Sequence, residues 1–340
     1  MVNVGIVGCG FMGLTHIKAY RKLQGVRIGA ICDAVALPVD GDFSNVAGNI
    51  GDADPVKLDM TQVKGFKSFD ELLAQPDIEL IDLCVPTTAH PALAIAALKA
   101  GKHVVCEKPL ARTSAQARTI AEAAAAAKGY FMPAMCLRFW PEWARLKSAI
   151  ASNQYGRILS ARFRRVSEPP KWGRESYFNG AKSGGAILDL HIHDTDFVQF
   201  CFGRPSSVVS SGFSHYSGAI DHVVTLYKVA GGACVSAEGS WVMTEGFGFN
   251  MAYTAVFQNA TLDYDLSRGA DALKLIEHGK PVQVLHCEGG DGYVGELQHM
   301  VDSINKGQPP SIVTAQDGVS SVEICEAEEK SILTGQPVAL

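Results

Sequence analysis

Charge is sparse in this 340-residue sequence: charged residues make up 19% of it, and 30 Lys and Arg stand against 35 Asp and Glu, a formal net charge of −5. No run of five like charges occurs, so the basic footprint that phosphate-backbone binding needs is missing and no nucleic-acid partner is expected. Long apolar runs are missing too. The stretch 83–98, without a formal charge, is bounded by Asp82 and Lys99 and contains two prolines and His90; it is too short and too broken to cross a bilayer, and a soluble protein with no membrane partner is expected. The nine cysteines are an odd number, scattered through apolar segments with no C-x-x-C. That excludes a disulfide framework or a thiolate metal site and suits reduced thiols used as small buried side chains. The apolar run 1–7 has no basic flank or cleavage-site pattern, which makes the cytoplasm the expected location.

What is present is a large apolar inventory: 47% hydrophobic residues and a mean hydropathy of +0.09. A chain of this length and composition buries a core and most simply folds as two domains with a cleft between them. The first 130 residues alternate short β-branched runs (2–7, 27–32, 80–85, 103–106) with longer Ala- and Leu-rich segments (12–23, 89–100, 114–127). This is the pattern of βαβ units around a doubly wound parallel sheet. From about residue 153 the texture changes to alternating segments such as 158–166, 207–213, 223–229, 233–241 and 252–257, which predict a large, mostly antiparallel sheet. Helices are predicted at 294–305 and 317–333, and 34–58 reads as a loop. The expected fold is a Rossmann domain over 1–130 and an α+β substrate and oligomerisation domain over 131–340, with the helix 317–333 as the element that could pack back on the first domain.

Gly8-Cys9-Gly10-Phe11-Met12-Gly13 follows a predicted strand and opens a predicted helix. In that context G-x-G-x-x-G is a dinucleotide fingerprint. Gly8 makes the tight turn, Gly10 lets main chain approach a pyrophosphate, Gly13 lets helix lie on strand, and the N–H groups at the helix start attract the anion. Asp33 lies twenty residues after Gly13, where a carboxylate accepts hydrogen bonds from an adenosine ribose diol. No arginine follows closely, so NAD is favoured and NADP is the alternative.

The segments Val85-Pro86-Thr87-Thr88-Ala89-His90, Gly101-Lys102-His103-Val104-Val105-Cys106-Glu107-Lys108-Pro109-Leu110 and Gly184-Gly185-Ala186-Ile187-Leu188-Asp189-Leu190-His191-Ile192-His193-Asp194 resemble the glucose-fructose oxidoreductase / inositol dehydrogenase / rhizopine-catabolism (Gfo/Idh/MocA) family. The resemblance spans both halves. It implies a Rossmann domain followed by an α+β domain whose sheet makes a homodimer or homotetramer, and oxidation of a ring hydroxyl of a sugar or cyclitol or reduction of the matching ketone. It also implies that Phe11, Met12, Pro86, Thr87, His90 and Glu107 join the glycines and Asp33 at the cofactor, that Lys108 touches nicotinamide and substrate, and that Asp189 and His193 are the Asp-x-x-x-His pair. His191, where the family commonly has a small residue, departs from the pattern and is expected to alter substrate fit.

The residues themselves carry a matching chemistry. Removing hydride from a secondary alcohol requires a proton acceptor, and histidine titrates in the right range, which points to His193. On a helix Asp189 and His193 share a face, and Asp189 would orient His193 or bind a neighbouring hydroxyl. Lys108, at the carboxyl end of the predicted parallel sheet, would stabilise a developing alkoxide, while Glu107 holds the loop. From the second domain the resemblance implies Arg138 as a substrate-binding candidate, and Trp172, Tyr177 and Tyr293 supply flat surfaces and hydroxyl donors suited to a sugar ring. His191-x-His193 would chelate a metal only on a strand; on a helix the two diverge, and no metal is expected. Two other outcomes stay open: an NAD-retaining glycosidase or lyase-type enzyme that oxidises its substrate transiently, and a non-catalytic nucleotide-responsive sugar-binding protein.

Overall fold

The structure, a computed structural model, describes residues 1–47 and 54–340, apart from the Trp172 side chain. Part of the predicted loop 34–58 and the proposed Trp172 contact therefore lie outside the described residues. Two compact units form: Met1–Cys136 with Asp291–Val319, and Leu137–Gly290 with Ser320–Leu340.

The first unit contains β1 (Val2–Val7), α1 (Phe11–Tyr20), β2 (Val26–Cys32), β3 (Lys64–Phe66), α2 (Phe69–Leu73), β4 (Leu80–Leu83), α3 (His90–Lys99), β5 (His103–Glu107), α4 (Ser114–Ala126) and β6 (Phe131–Ala134). The six strands make one parallel sheet in the order β3-β2-β1-β4-β5-β6. β1 is paired on both edges, with Val4 opposite Ile28 on one side and Leu80 on the other. All of β1 is buried, which is why it reads as a near-continuous apolar run rather than an alternating one. The strand order reverses between β1 and β4, and ligands of open α/β sheets bind outside the carboxyl ends of strands at such a point. Helix α4 begins at Thr113, whose hydroxyl accepts the Gln116 N–H at 3.3 Å, and its alanine interior favours helix intrinsically.

The single break expected at 130/131 is corrected by the return of 291–319 to the first unit. The reason is α9 (Gly292–Lys306), which buries Glu296, Leu297, Met300 and Val301 at helical spacing and packs on α1. Periodicity identifies such a face but not the surface that receives it.

The second unit contains α5 (Pro141–Ala151), β7 (Ile158–Ser167), the short turns α6 (Arg174–Tyr177) and α7 (Gly180–Ser183), and α8 (Ile192–Phe202), then β8 (Ser207–Phe213), β9 (His222–Lys228), β10 (Cys234–Ser240), β11 (Phe249–Phe257), β12 (Ala260–Asp265), β13 (Leu273–Glu277) and β14 (Gln283–Leu285). Helix α10 (Ala315–Thr334) and β15 (Val338–Ala339) end the chain, and the second unit resumes inside α10 at Ser320. Nine strands form one sheet in the order β14-β13-β12-β11-β7-β10-β9-β8-β15. Only β7 and β10 run parallel; the other pairs are antiparallel. Buried Trp143 of α5 meets Tyr253 and Tyr264 edge-on, at ring separations of 5.1 and 4.6 Å, anchoring the helix to the sheet through apolar burial and favourable ring geometry.

A π-turn, Ile187–His191, runs directly into α8. Gly184 and Gly185 lead into it with φ of 82° and 76°, left-handed values that only glycine adopts freely. A Cβ on Gly185 would strike the Ile220 carbonyl. The segment is therefore helical at both histidines, and the strand geometry that metal chelation by His191-x-His193 requires is not formed.

Candidate functional site

The fingerprint sits in the first unit where the strand order reverses. Gly8 has φ of 97°, and a Cβ there would collide with the Cys84 carbonyl; a Cβ on Gly13 would collide with the Gly8 carbonyl. Both glycines are thus demanded by the fold. Gly10 is different. Its φ is −83°, open to any residue, and a Cβ would meet nothing within 4 Å. Gly10 is also the N-cap of α1 and provides no side-chain cap, so the helix start faces open space with the positive end of its dipole. Phe11 and Met12 flank it, half-buried.

Asp33 follows β2 and closes on this turn. Its Oδ2 accepts the Cys9 N–H at 2.8 Å, and its Oδ1 accepts the N–H groups of Val35 and Ala36, each at 2.8 Å. The carboxylate is fixed by main chain on both oxygens; Oδ1 is filled by two N–H groups, and Oδ2, which accepts one, keeps a lone pair for a ribose hydroxyl. The chemistry of this set, glycine main chain at a helix start beside a fixed carboxylate, fits a dinucleotide without a 2′-phosphate.

After β4, Pro86 is exposed and Thr87 half-buried in a short turn. His90, expected at the cofactor, is instead buried, with Nδ1 2.9 Å from the Pro109 carbonyl and Nε2 2.8 Å from the Val85 carbonyl. It ties the turn after β4 to the segment after β5. Burial lowers the pKa of its ring against the pull of the two carbonyls and the Glu107 charge. The Lys108–Pro109 peptide is cis and Lys108 half-buried. Glu107 is buried and accepts the Lys108 N–H on Oε2 at 3.0 Å.

The other Glu107 oxygen, Oε1, lies 3.1 Å from Nε2 of His16, whose Nδ1 is 2.8 Å from Asp82 Oδ2. His16 and Asp82 are completely buried. Glu296 of α9 is the fourth member, 3.9 Å from the His16 ring. The sequence reading missed His16, Asp82 and Glu296. The signal available was slight: one histidine three residues past the fingerprint and one acid inside an apolar strand. Tyr293, assigned to the second domain, stands at the start of α9 in the first unit, its ring 6.2 Å from that of His16.

In the second unit Asp189 lies in the π-turn and is half-buried, while His193 is in the first turn of α8 and 9% exposed. His191 does not line a substrate surface. It is buried, with Nε2 3.1 Å from the Tyr227 hydroxyl and 3.3 Å from Glu328 Oε2, and Tyr227 donates to Glu328 Oε1 at 2.7 Å. Arg138 is also interior. Its Nε and Nη2 donate to Asp196 at 2.8 and 2.7 Å, and its guanidinium lies 4.6 Å over the Phe200 ring. These contacts hold α8, and the side chain expected at the substrate is 4% exposed. Tyr177 is half-buried, edge-on to Trp241 at 5.9 Å.

Comparison with known proteins follows the same division. Residues 2–135 match the oxidoreductase family with an NAD-binding Rossmann fold, GFO_IDH_MocA, and residues 143–262 match the GFO/IDH/MocA C-terminal domain. A levoglucosan dehydrogenase of Pseudarthrobacter phenanthrenivorans is 29% identical over 70% of this chain and 67% of its own. A myo-inositol 2-dehydrogenase of Thermotoga maritima is 24% identical over 100% of this chain and 98% of its own. Among solved structures, a levoglucosan dehydrogenase in complex with NADH shares the fold, with a TM-score of 0.84 at 22% identity over 99% of this chain and 98% of that one. With both halves matched, this chain belongs to the Gfo/Idh/MocA oxidoreductase family.

Proposed function

We propose that this protein is an NAD(H)-dependent dehydrogenase or reductase acting on a ring hydroxyl or ketone of a sugar, sugar derivative or cyclitol. The observation that carries the reading is Gly10. Neither its φ nor its surroundings require glycine, so the missing side chain serves something outside the chain, at a helix start built to attract an anion. The relatives named above supply the substrate class.

When bound, the dinucleotide supplies the nicotinamide that accepts or returns the hydride. Main chain at Gly8–Gly13 would hold its pyrophosphate and Asp33 its adenosine ribose, with Pro86 and Thr87 alongside. His193 would take the hydroxyl proton, Asp189 would orient His193 or a neighbouring hydroxyl, and the Lys108 ammonium would stabilise oxygen as negative charge develops. Tyr177 and Tyr293 offer hydroxyl donors to the ring, and Trp172 is carried as a further surface for it.

The test joins two variants. Gly10→Ala is expected to weaken NADH binding while leaving thermal stability unchanged, because its Cβ meets no protein atom; equal NADH affinity would remove the nucleotide argument. His193→Ala is expected to lower turnover of myo-inositol or levoglucosan by roughly a hundredfold to ten-thousandfold, the usual range for removing a general base. Substrate consumption without NADH absorbance would point instead to transient oxidation. A homo-oligomer built on the outer face of the large sheet and a cytoplasmic location complete the proposal. They are supported by apolar side chains exposed on that face and by nine free cysteines, which suit a reducing compartment.

A further inference from the structure

The buried cluster in the first unit has more acid than its charges can balance. Around the His16 ring stand Asp82 and Cys84 from β4 and the turn after it, Glu107 and Lys108 from the end of β5, Tyr20 from α1, and Glu296, Tyr293 and Asp291 from α9 and its cap. Asp82 at 2.8 Å and Glu107 at 3.1 Å each face a different ring nitrogen. With both carboxyls ionised each only accepts, so both nitrogens donate and the ring is an imidazolium. That cation offsets one of the two carboxylates, and Lys108, acting on Glu107 by its charge, offsets the other. Nothing remains for Glu296, which is 0% exposed and whose two side-chain oxygens have no hydrogen-bond partner among the described residues. An ionised carboxylate in that position would carry an uncompensated desolvation cost.

We propose that His16 is a positioning residue for Lys108: fixed as an imidazolium by Asp82, it orients Glu107, whose far oxygen holds the Lys108 main-chain N–H, and Glu296 completes the cluster as a neutral carboxylic acid. The proposal rests on the reading of Lys108 as the group that meets substrate. Burial alone would discharge the His16 ring, but Asp82 and the Cys84 thiol outweigh it and hold its pKa well above the ordinary value. Burial raises Glu296 against the pull of the His16 cation, with Glu107, Asp82 and Asp291 reinforcing burial, whereas Glu107, which burial would also raise, is held low by His16 and Lys108.

The first arm of the test needs no turnover. Melting temperatures of the full-length protein and of Glu296→Gln are compared from acid to mildly alkaline pH. A raised carboxyl stabilises fully below its unfolded pKa and loses that contribution as pH rises through its folded value. Glu296→Gln, which mimics the neutral acid, is therefore expected to match the parent in acid and to overtake it as pH rises. A variant that is less stable at every pH, that does not fold, or that loses a stoichiometric bound metal overturns the neutral-acid assignment.

The second arm reads position directly. His16→Gln and His16→Ala are compared by amide hydrogen exchange at Lys108, with exchange expected to quicken by roughly tenfold or more in Ala and less in Gln, in line with loss of a charge-assisted hydrogen bond. Unchanged protection in both overturns the positioning role. If myo-inositol is turned over, His16→Ala should lower kcat while the NADH Kd stays within about twofold, since no cofactor contact is removed. Failure of the parent to turn over any polyol would defeat the dehydrogenase reading and leave the first two readouts standing.

Discussion

Arg138 and Asp196 form a bidentate ion pair inside the second unit, Nε to Oδ2 at 2.8 Å and Nη2 to Oδ1 at 2.7 Å, with both side chains almost fully buried. Asp196 also accepts from Gln199 at 3.1 Å and Ser321 at 3.0 Å, so its carboxylate is the node that holds α8 to α10. Arg138→Met is expected to destabilise by about 3–5 kcal/mol, the usual cost of leaving one member of a buried pair alone. Arg138→Lys should recover little, because a point cation cannot reproduce the fork. Urea unfolding of the two variants decides it; a midpoint near the parent's for Arg138→Met would mean that the pair contributes nothing net.

Asp33 binds the glycine turn through the Cys9 N–H at 2.8 Å and repels a 2′-phosphate by charge. Asp33→Ser should therefore weaken NADH by roughly tenfold to a hundredfold, the range for losing a hydrogen bond to a charged group, while NADPH gains relative to NADH. Fluorescence titration with both cofactors measures the ratio. An unaltered ratio would take Asp33 out of cofactor selection.

Asp221 concentrates donors: Oδ2 accepts the N–H groups of His215, Tyr216 and Ser217 at 2.8, 2.6 and 3.0 Å, and Oδ1 accepts Trp241 Nε1 at 2.8 Å. Burial would raise its pKa, but these donors and the Ser217 hydroxyl override burial and hold it below the usual carboxylate value. A lowered carboxyl contributes stability above its unfolded pKa and loses it as pH falls through the folded one. Asp221→Asn should thus be less stable than the parent near neutrality, with the gap closing in acid below about pH 4. Melting curves across that range would expose a pH-independent gap if the charge is irrelevant.

Gly239 of β10 lies against His191 so closely that a Cβ would fall 2.5 Å from the His191 Cβ, 2.8 Å from its Nδ1 and 2.9 Å from its Cα. Gly239→Ala should cost about 1–3 kcal/mol as overpacking, and because His191→Ala keeps the Cβ that the new methyl meets, it is His191→Gly that should relieve part of that cost in the double variant. Strict additivity of the two single effects in denaturant unfolding would show that the contact is not felt.

On the outer face of the large sheet Val209 of β8 pairs with Leu226 of β9, and Phe213 pairs with His222. Leu226 is 52% and Phe213 50% exposed, an apolar patch that water disfavours and a second copy would cover. Leu226→Lys is expected to shift the protein towards monomer in light scattering without loss of fold. The same mass before and after substitution would place any self-association elsewhere.

The local features were legible in the sequence because each has a short-range cause. β1 reads as a near-continuous apolar run because all of its residues, on both faces, are buried. The Gly8 turn and the start of α1 follow from glycine geometry, and the alternation from β7 onward announces a sheet with two unlike faces. Where side chains end up was another matter. His90, His191 and Arg138 look like polar residues poised for ligands, and the fold places all three inside. Burial of a polar group is decided by partners far away in the chain: Asp196 is 58 residues from Arg138, and Glu328 is 137 residues from His191.

From sequence alone came the two kinds of sheet, the glycine turn before α1, the acid after β2 and the family, since these depend on residue type and spacing. Tertiary structure decided that residues 291–319 belong with the first 136, and that His16, Asp82, Glu107 and Glu296 share one buried space. An apolar helix face does not name its receptor, and the charge state of an acid depends on how much water and how many donors surround it.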